Sequence, residues 1–98
     1  MNEEFEIEVW YPKSEDLWGL RREEVFGHSI FNQNIGLPVD KLKRPIRNIT
    51  NGHSNFEEIR LDAMNRRGRN IVAEISITPV NDFEGKINGA ILILDEKV

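Results

Sequence analysis

The stretch from Phe56 to Leu94 constrains the fold more than any other, because it reads as three consecutive strands joined by two turns. Before the first turn, Asn65-Arg66-Arg67-Gly68, the residues Ile59, Leu61 and Ala63 alternate with Glu58, Arg60 and Asp62. After it, Ile71, Ala73, Ile75 and Ile77 alternate with Val72, Glu74, Ser76 and Thr78. Two period-two runs flanking a glycine turn predict an antiparallel hairpin, closed by a glycine at positive φ where a side chain would clash. A second turn falls within Asn81 to Lys86, and Ile87 to Leu94 forms the last strand. There Ala90, Leu92 and Leu94 face one way and Ile91 and Ile93 the other, and a strand apolar on both faces is normally interior to its sheet.

The residues before this meander supply short helices and one edge strand. Phe5, Ile7 and Val9 alternate with Glu4, Glu6 and Glu8, which predicts a strand over residues 4 to 11 with one charged face. Pro12 ends it and opens a helix, with Ser14-Glu15-Asp16 placing carboxylates near the favourable end of the dipole and Gly19 stopping it. Arg21 to Val25 forms a second short helical turn closed by Gly27, and residues 30 to 37 an irregular crossing segment. Val39, Leu42, Ile46 and Ile49 mark one face of a helix from about Pro38 to before Gly52. Pro45 lacks an N–H and crowds the preceding turn, so the helix either kinks there or divides in two, with Pro45 in the first turn of the second piece.

At 98 residues the chain has room for one domain over residues 1–98 and for no second core. Its longest apolar run, Ala90 to Leu94, is too short to span a bilayer, and Met1-Asn2-Glu3-Glu4 is no start for a signal peptide. A soluble cytoplasmic domain, alone or as part of a larger cytoplasmic protein, is the expectation, with no membrane partner. The absence of cysteine removes disulfides, thiolate nucleophiles, cysteine-ligated metals and cysteinyl cofactor adducts together. The net charge of −4 argues against a nucleic-acid partner, although Lys41, Lys43, Arg44 and Arg47 form one basic cluster and Arg66, Arg67 and Arg69 another. Both clusters read first as solvated surfaces.

No catalytic residues are expected and the chain reads as a non-enzyme. His28 and His53 have neither a second histidine nor a carboxylate at metal-ligand spacing, so no metal site is expected either. The adjacent pairs Glu15-Asp16 and Glu23-Glu24 point apart on a helix and read as solvated faces.

Strand, short helices, a longer helix and a three-stranded meander is the order of a PAS domain, and particular residues resemble that family. Trp10-Tyr11-Pro12, the run from Glu15 to Gly27, Ile35-Gly36-Leu37-Pro38-Val39 and Asn65-Arg66-Arg67-Gly68-Arg69 look like PAS modules of bacterial sensor histidine kinases and of chemotaxis-type methyltransferase and methylesterase fusions. The resemblance covers roughly residues 4 to 96. It implies an α+β fold, an antiparallel sheet with short helices and one longer helix on one face. It further implies a sensory or regulatory function in bacterial two-component signal transduction, relaying ligand or partner state to an output domain through dimerisation. The alternatives are a ligand-free interaction module and, less favoured, a small enzyme using the PAS cavity.

Three departures qualify the resemblance. The family's first strand, which would lie between the Phe5 to Trp10 segment and the last strand, is missing, so the domain reads as N-terminally truncated with an open apolar edge. That edge predicts a homodimer, in one version strand-exchanged, with Phe5, Ile7, Val9, Ile91 and Ile93 as edge candidates. Tyr11 stands where the family usually has asparagine, leaving the first helix to be capped by Ser14 or by backbone. The chain stops just after Asp95-Glu96, where PAS domains hand on to an output element, which makes Asp95 the signal-output candidate. The family's ligand pocket would be lined by some of Trp18, Phe26, Ile30, Phe31, Ile35, Leu42, Ile46, Leu61, Ile75 and Leu92, residues that equally suit a dry core. No cofactor is expected: residues 38 to 50 lack the histidine that haem-binding relatives use, and cysteinyl flavin is excluded. A non-covalent small molecule stays open.

Overall fold

The structure, a computed structural model, describes residues 1, 5–33 and 35–97. Glu3 and Glu4 of the acidic start, Asn34 and Val98 lie outside the described residues. Strands β1 (Glu57–Met64), β2 (Asn70–Asn81) and β3 (Ile87–Lys97) form one antiparallel sheet in the order β1-β2-β3. Both turns are built by one device. The Asn65 side-chain oxygen accepts the N–H groups of Arg67 and Arg69, and Gly68 follows at φ 79°. Asp82 likewise accepts from Glu84 and Lys86, with Gly85 at φ 84°. In each turn an Asx side chain satisfies the loop N–H groups, while glycine takes the left-handed conformation that a Cβ disfavours.

The turns set a register in which Leu61 lies opposite Ala73, Ile59 opposite Ile75, Ile75 opposite Leu94 and Ile77 opposite Leu92. One face of the sheet is therefore continuously apolar, and the helices pack there. Helix α1 (Pro12–Trp18) starts with proline at its first position and ends on Gly19 at φ 79°. Tyr11 gives no side-chain cap; its carbonyl accepts from Ser14 and Glu15, so the backbone holds that end. Helix α2 (Arg22–Val25) is a single turn that buries Val25. The predicted long helix divides into a 3₁₀ turn, Val39–Leu42, and helix α3 (Lys43–Thr50), with Pro45 in the first turn of α3, where its N–H is not needed. Val39, Leu42, Ile46 and Ile49 all bury on the sheet, next to Leu61, Ala73, Ile75 and Ile77.

Proline in a central strand is unusual, and Pro79 shows how it is tolerated. Pairing with β1 stops at Glu57 opposite Ile77, so β2 overruns its neighbour and Pro79 faces no strand on that side. Across from it, Ala90 turns its backbone groups away from β2, bonding Met1 instead. No ladder bond is lost.

Two expectations are corrected. Residues 5 to 11 are not an edge strand of the sheet: they make isolated bridges only, Glu6 with Ser29 and Ile7 with Phe26. Phe5, at φ 63°, breaks the extended run, and Ile7 exchanges bonds with the loop after α2, accepting from Gly27 (2.7 Å) and donating to His28 (2.9 Å). Secondly, β3 is an edge strand among the described residues although both its faces are apolar; β2 is the central one. Ile91 and Ile93 are consequently 50% and 57% exposed.

A close approach pins the loop before Pro38 to the sheet. Met64 donates to the Gly36 carbonyl at 2.9 Å, and a Cβ on Gly36 would fall 1.7 Å from the Met64 oxygen. Gly36→Ala is thus expected to destabilise by more than about 2 kcal/mol, read as a lower urea midpoint, because neither backbone can give way freely. Asn65→Ala, which orphans two turn N–H groups, should cost about 1–2 kcal/mol in the same assay. Its exposed neighbour Arg66, paired with Asp16 at 3.2 Å, should cost under about 1 kcal/mol when changed to alanine.

Candidate functional site: a cavity beside the open edge of β3

In antiparallel strands, successive residues direct their backbone groups to opposite edges. Met1 shows which residues of β3 face outward: its ammonium donates to the Ala90 carbonyl (2.8 Å), and the Ala90 N–H returns a bond to the Met1 carbonyl (3.0 Å). Leu92 and Leu94 share the parity of Ala90, so their N–H and C=O groups project from the same edge. Among the described residues no backbone partner meets them there.

A cavity of about 490 Å³ opens along this edge. Ala90, Leu92 and Leu94 form one wall, the segment Ile7 to Tyr11 with Ser14 the other, and Trp18, Ile30, Ile35 and Leu42 reach it from the core side. Met1 occupies the near end of this cavity. Trp10 is fixed by donation of its indole N–H to the Leu20 carbonyl at 2.9 Å, which holds the second wall in place. Glu8, Tyr11, Ser14 and Asn88 and the Met1 ammonium are the polar groups in a lining that is otherwise mainly apolar, a composition suited to an apolar group held by a few polar contacts. Burial lowers the pKa of the Met1 ammonium, and the Glu8 carboxylate opposes that shift.

Beyond the cavity, Lys13 of α1 reaches Asp95 of β3 at 3.2 Å. Asp95 lies opposite Glu74, which lies opposite Arg60, so a row of charges crosses the outer sheet face. Arg60 Nε is 3.0 Å from Glu74 Oε2 but without hydrogen-bond alignment, and that contact is Coulombic. The Lys13 and Asp95 side chains are largely exposed, which keeps their pairing weak and sensitive to salt.

Of the ten candidate pocket residues, the cavity brings together Trp18, Ile30, Ile35, Leu42 and Leu92. Ile46, Leu61 and Ile75 are instead packed into the core. Phe26 is exposed beneath the Arg22 guanidinium, 5.3 Å from its ring centre, and Phe31 stacks at a tilt on Phe5 at 5.3 Å. Among the edge candidates, Ile7 is buried and Phe5 half-buried against Phe31, whereas Val9, Ile91 and Ile93 are exposed. Among the described residues, Leu92 and Leu94 have no backbone partner on their outer edge. The alternation in β3 could have singled out Leu94 along with Leu92; Trp10 and Ser14 carried no such signal.

His28 and His53 are both exposed, and no group of metal-binding side chains occurs among the described residues. Glu15 and Glu24 accept the backbone N–H groups of Arg22 and Arg21, so these carboxylates cap α2. No helix among the described residues is long and apolar enough to cross a membrane.

No curated protein matches the chain. Several solved structures share its fold. The PAS domain of histidine kinase ThkA superposes with a TM-score of 0.75 at 17% identity, covering 97% of this chain and 92% of that one. A PAS domain from Colwellia psychrerythraea gives 0.74 at 17% identity, covering 98% and 80%. VqmA of Vibrio cholerae, in a complex with ligand and DNA, gives 0.81 at 18% identity, and there this chain matches over 97% of its own length but spans only 42% of VqmA. The family model for the PAS domain matches residues 1–96. With the meander, the short helices and nearly the whole sequence accounted for by that match, the chain belongs to the PAS domain family.

Proposed function

We propose that this chain is a non-enzymatic sensory module of bacterial two-component signalling, in which occupancy of the cavity beside β3 is the signal. The observation that carries this is the cavity's position: it abuts the outer edge of a strand that runs on directly to Asp95. An occupant that pairs with or packs on Leu92 and Leu94 changes the strand holding Asp95, and with it the Lys13 contact. The resemblance to a histidine kinase PAS domain supports the reading, as does the ligand in the VqmA complex. The DNA in that complex is bound by a longer protein, and the net charge of −4 here favours a protein partner over nucleic acid.

Output runs through a homodimer formed on the outer face of β3, where Ile91 and Ile93 are exposed, and passes to an output domain in the cytoplasm. No cofactor is required; a non-covalent apolar molecule fits the lining. The second reading, a ligand-free interaction module, is favoured by those same isoleucines.

Native mass spectrometry at micromolar concentration tests both parts at once. A dimer, with or without a retained small molecule, is expected; a strictly monomeric protein would remove dimerisation from the proposal. Lys13→Gln should change stability by less than about 1 kcal/mol while altering the output of a kinase fused after Val98. An unchanged kinase response would show that the Asp95 end does not carry the signal.

A further inference from the structure

The two turns of the meander share a frame and differ in what they display. Each is held by an Asx side chain and a glycine, Asn65 with Gly68 and Asp82 with Gly85. Around that frame the second turn carries Phe83, Glu84 and Lys86, whereas the first carries Arg66, Arg67 and Arg69. The turn chemistry therefore calls for no arginine, and the role of the three lies in what their side chains meet.

They line a surface pocket of about 130 Å³, shared with Asp16 of α1 and Glu96 of β3. Its frame is fixed. The Asn65 side chain accepts the N–H groups of Arg67 and Arg69 at 3.0 and 3.1 Å, and the Arg66 N–H donates to the Leu17 carbonyl at 2.9 Å, which ties the turn to α1. The Arg66 guanidinium is engaged by Asp16 at 3.2 Å. Among the described residues, Arg67 and Arg69 have no ion-pair partner, and Glu96 pairs with neither although it borders the same pocket.

Two unpaired guanidinium groups on one rigid turn repel each other, and an oxyanion seated between them removes that repulsion through charge-assisted bonds. The local charge count selects the anion. Three arginines against Asp16 and Glu96 leave a single net positive charge at the pocket, which a carboxylate matches. The second charge of a phosphate ester would face Asp16 and Glu96 unfavourably. Exposure then selects the size of the ligand. All three arginines are exposed, so one free carboxylate gains little against water and salt. Successive carboxylates on one chain hold each other at high effective concentration.

We propose that the β1–β2 turn docks an acidic segment of a partner protein. One carboxylate sits between Arg67 and Arg69, and a neighbouring one competes with Asp16 for Arg66. This site goes beyond occupancy of the cavity beside β3 and does not depend on it. Glu96 follows Asp95 on β3, so the docked segment lies at the same end of the sheet as the Lys13 contact.

The test titrates the ¹⁵N-labelled full chain with acetyl-Gly-Glu-Asp-Glu-Gly-amide and follows the side-chain Nε–H signals of Arg67 and Arg69. Both should shift, and the neutral peptide acetyl-Gly-Gln-Asn-Gln-Gly-amide should shift neither. Arg67→Gln combined with Arg69→Gln should weaken binding by about tenfold or more, whereas Asp16→Asn, which removes the competing carboxylate, should strengthen it. Arg44→Gln combined with Arg47→Gln, on the other basic cluster, should leave binding unchanged. Unshifted Arg67 and Arg69 signals under excess acidic peptide overturn the inference. An equal loss in the Arg44 and Arg47 variant does so too, since it would mark attraction to any basic surface. Inorganic phosphate at the same ionic strength is the last probe: if it shifts Arg67 and Arg69 at lower concentration than the peptide does, the turn prefers phosphate and the inference fails.

Discussion

The parity of β3 relative to β2 is the constraint on which the rest of the molecule depends. Because Ile75 lies opposite Leu94 and Ile77 opposite Leu92, the apolar residues of the strands share one face, and α3 has somewhere to bury Ile46 and Ile49. A slip of one residue would turn Leu92 and Leu94 to the outer face and bring Ile91 and Ile93 in, with the hydrogen-bonding edge inverted as well. Two turns of like chemistry, Asn65 with Gly68 and Asp82 with Gly85, hold that register. Side-chain facing and backbone facing are thus set together by a few turn residues.

The same parity creates the site. It aims the backbone of Leu92 and Leu94 outward on the side where the sheet has no further strand among the described residues, and the segment from Ile7 to Tyr11 lines the cavity there. Ile7 is anchored to the loop after α2, Trp10 to Leu20, and α1 begins at Pro12, so a wall stands opposite β3 without touching it along its length. The cavity lies next to the strand that carries Asp95 and runs on to Lys97. Leu92 on the cavity wall and Asp95, which meets Lys13, belong to one continuous strand.

Much of the fold was legible in the sequence, and much less of the site. Period-two alternation announced the meander, glycines announced both turns, and Val39, Leu42, Ile46 and Ile49 announced the helical face against the sheet, since each pattern follows from local geometry. The alternation of Phe5, Ile7 and Val9 looked equally strand-like. It failed because a strand requires a partner, and the loop after α2 captured Ile7 while Phe5 turned left-handed. In the candidate pocket, Leu42 lines the cavity but Ile46, one turn further on, is sealed in the core, a distinction that no periodicity carries.

By itself the sequence determined the three strands, their turns, which face of each is apolar and where Pro45 is admissible, because these depend on φ preferences, Asx and glycine chemistry, and side-chain alternation within a few residues. Only the tertiary structure decided that β3 is an edge among the described residues, that Met1 meets Ala90, and that Trp10 and Ser14 line one cavity with Leu92 and Leu94. Those facts depend on contacts between residues some eighty positions apart. Such contacts follow from how the whole chain settles its remaining unpaired backbone, and no local pattern encodes that outcome.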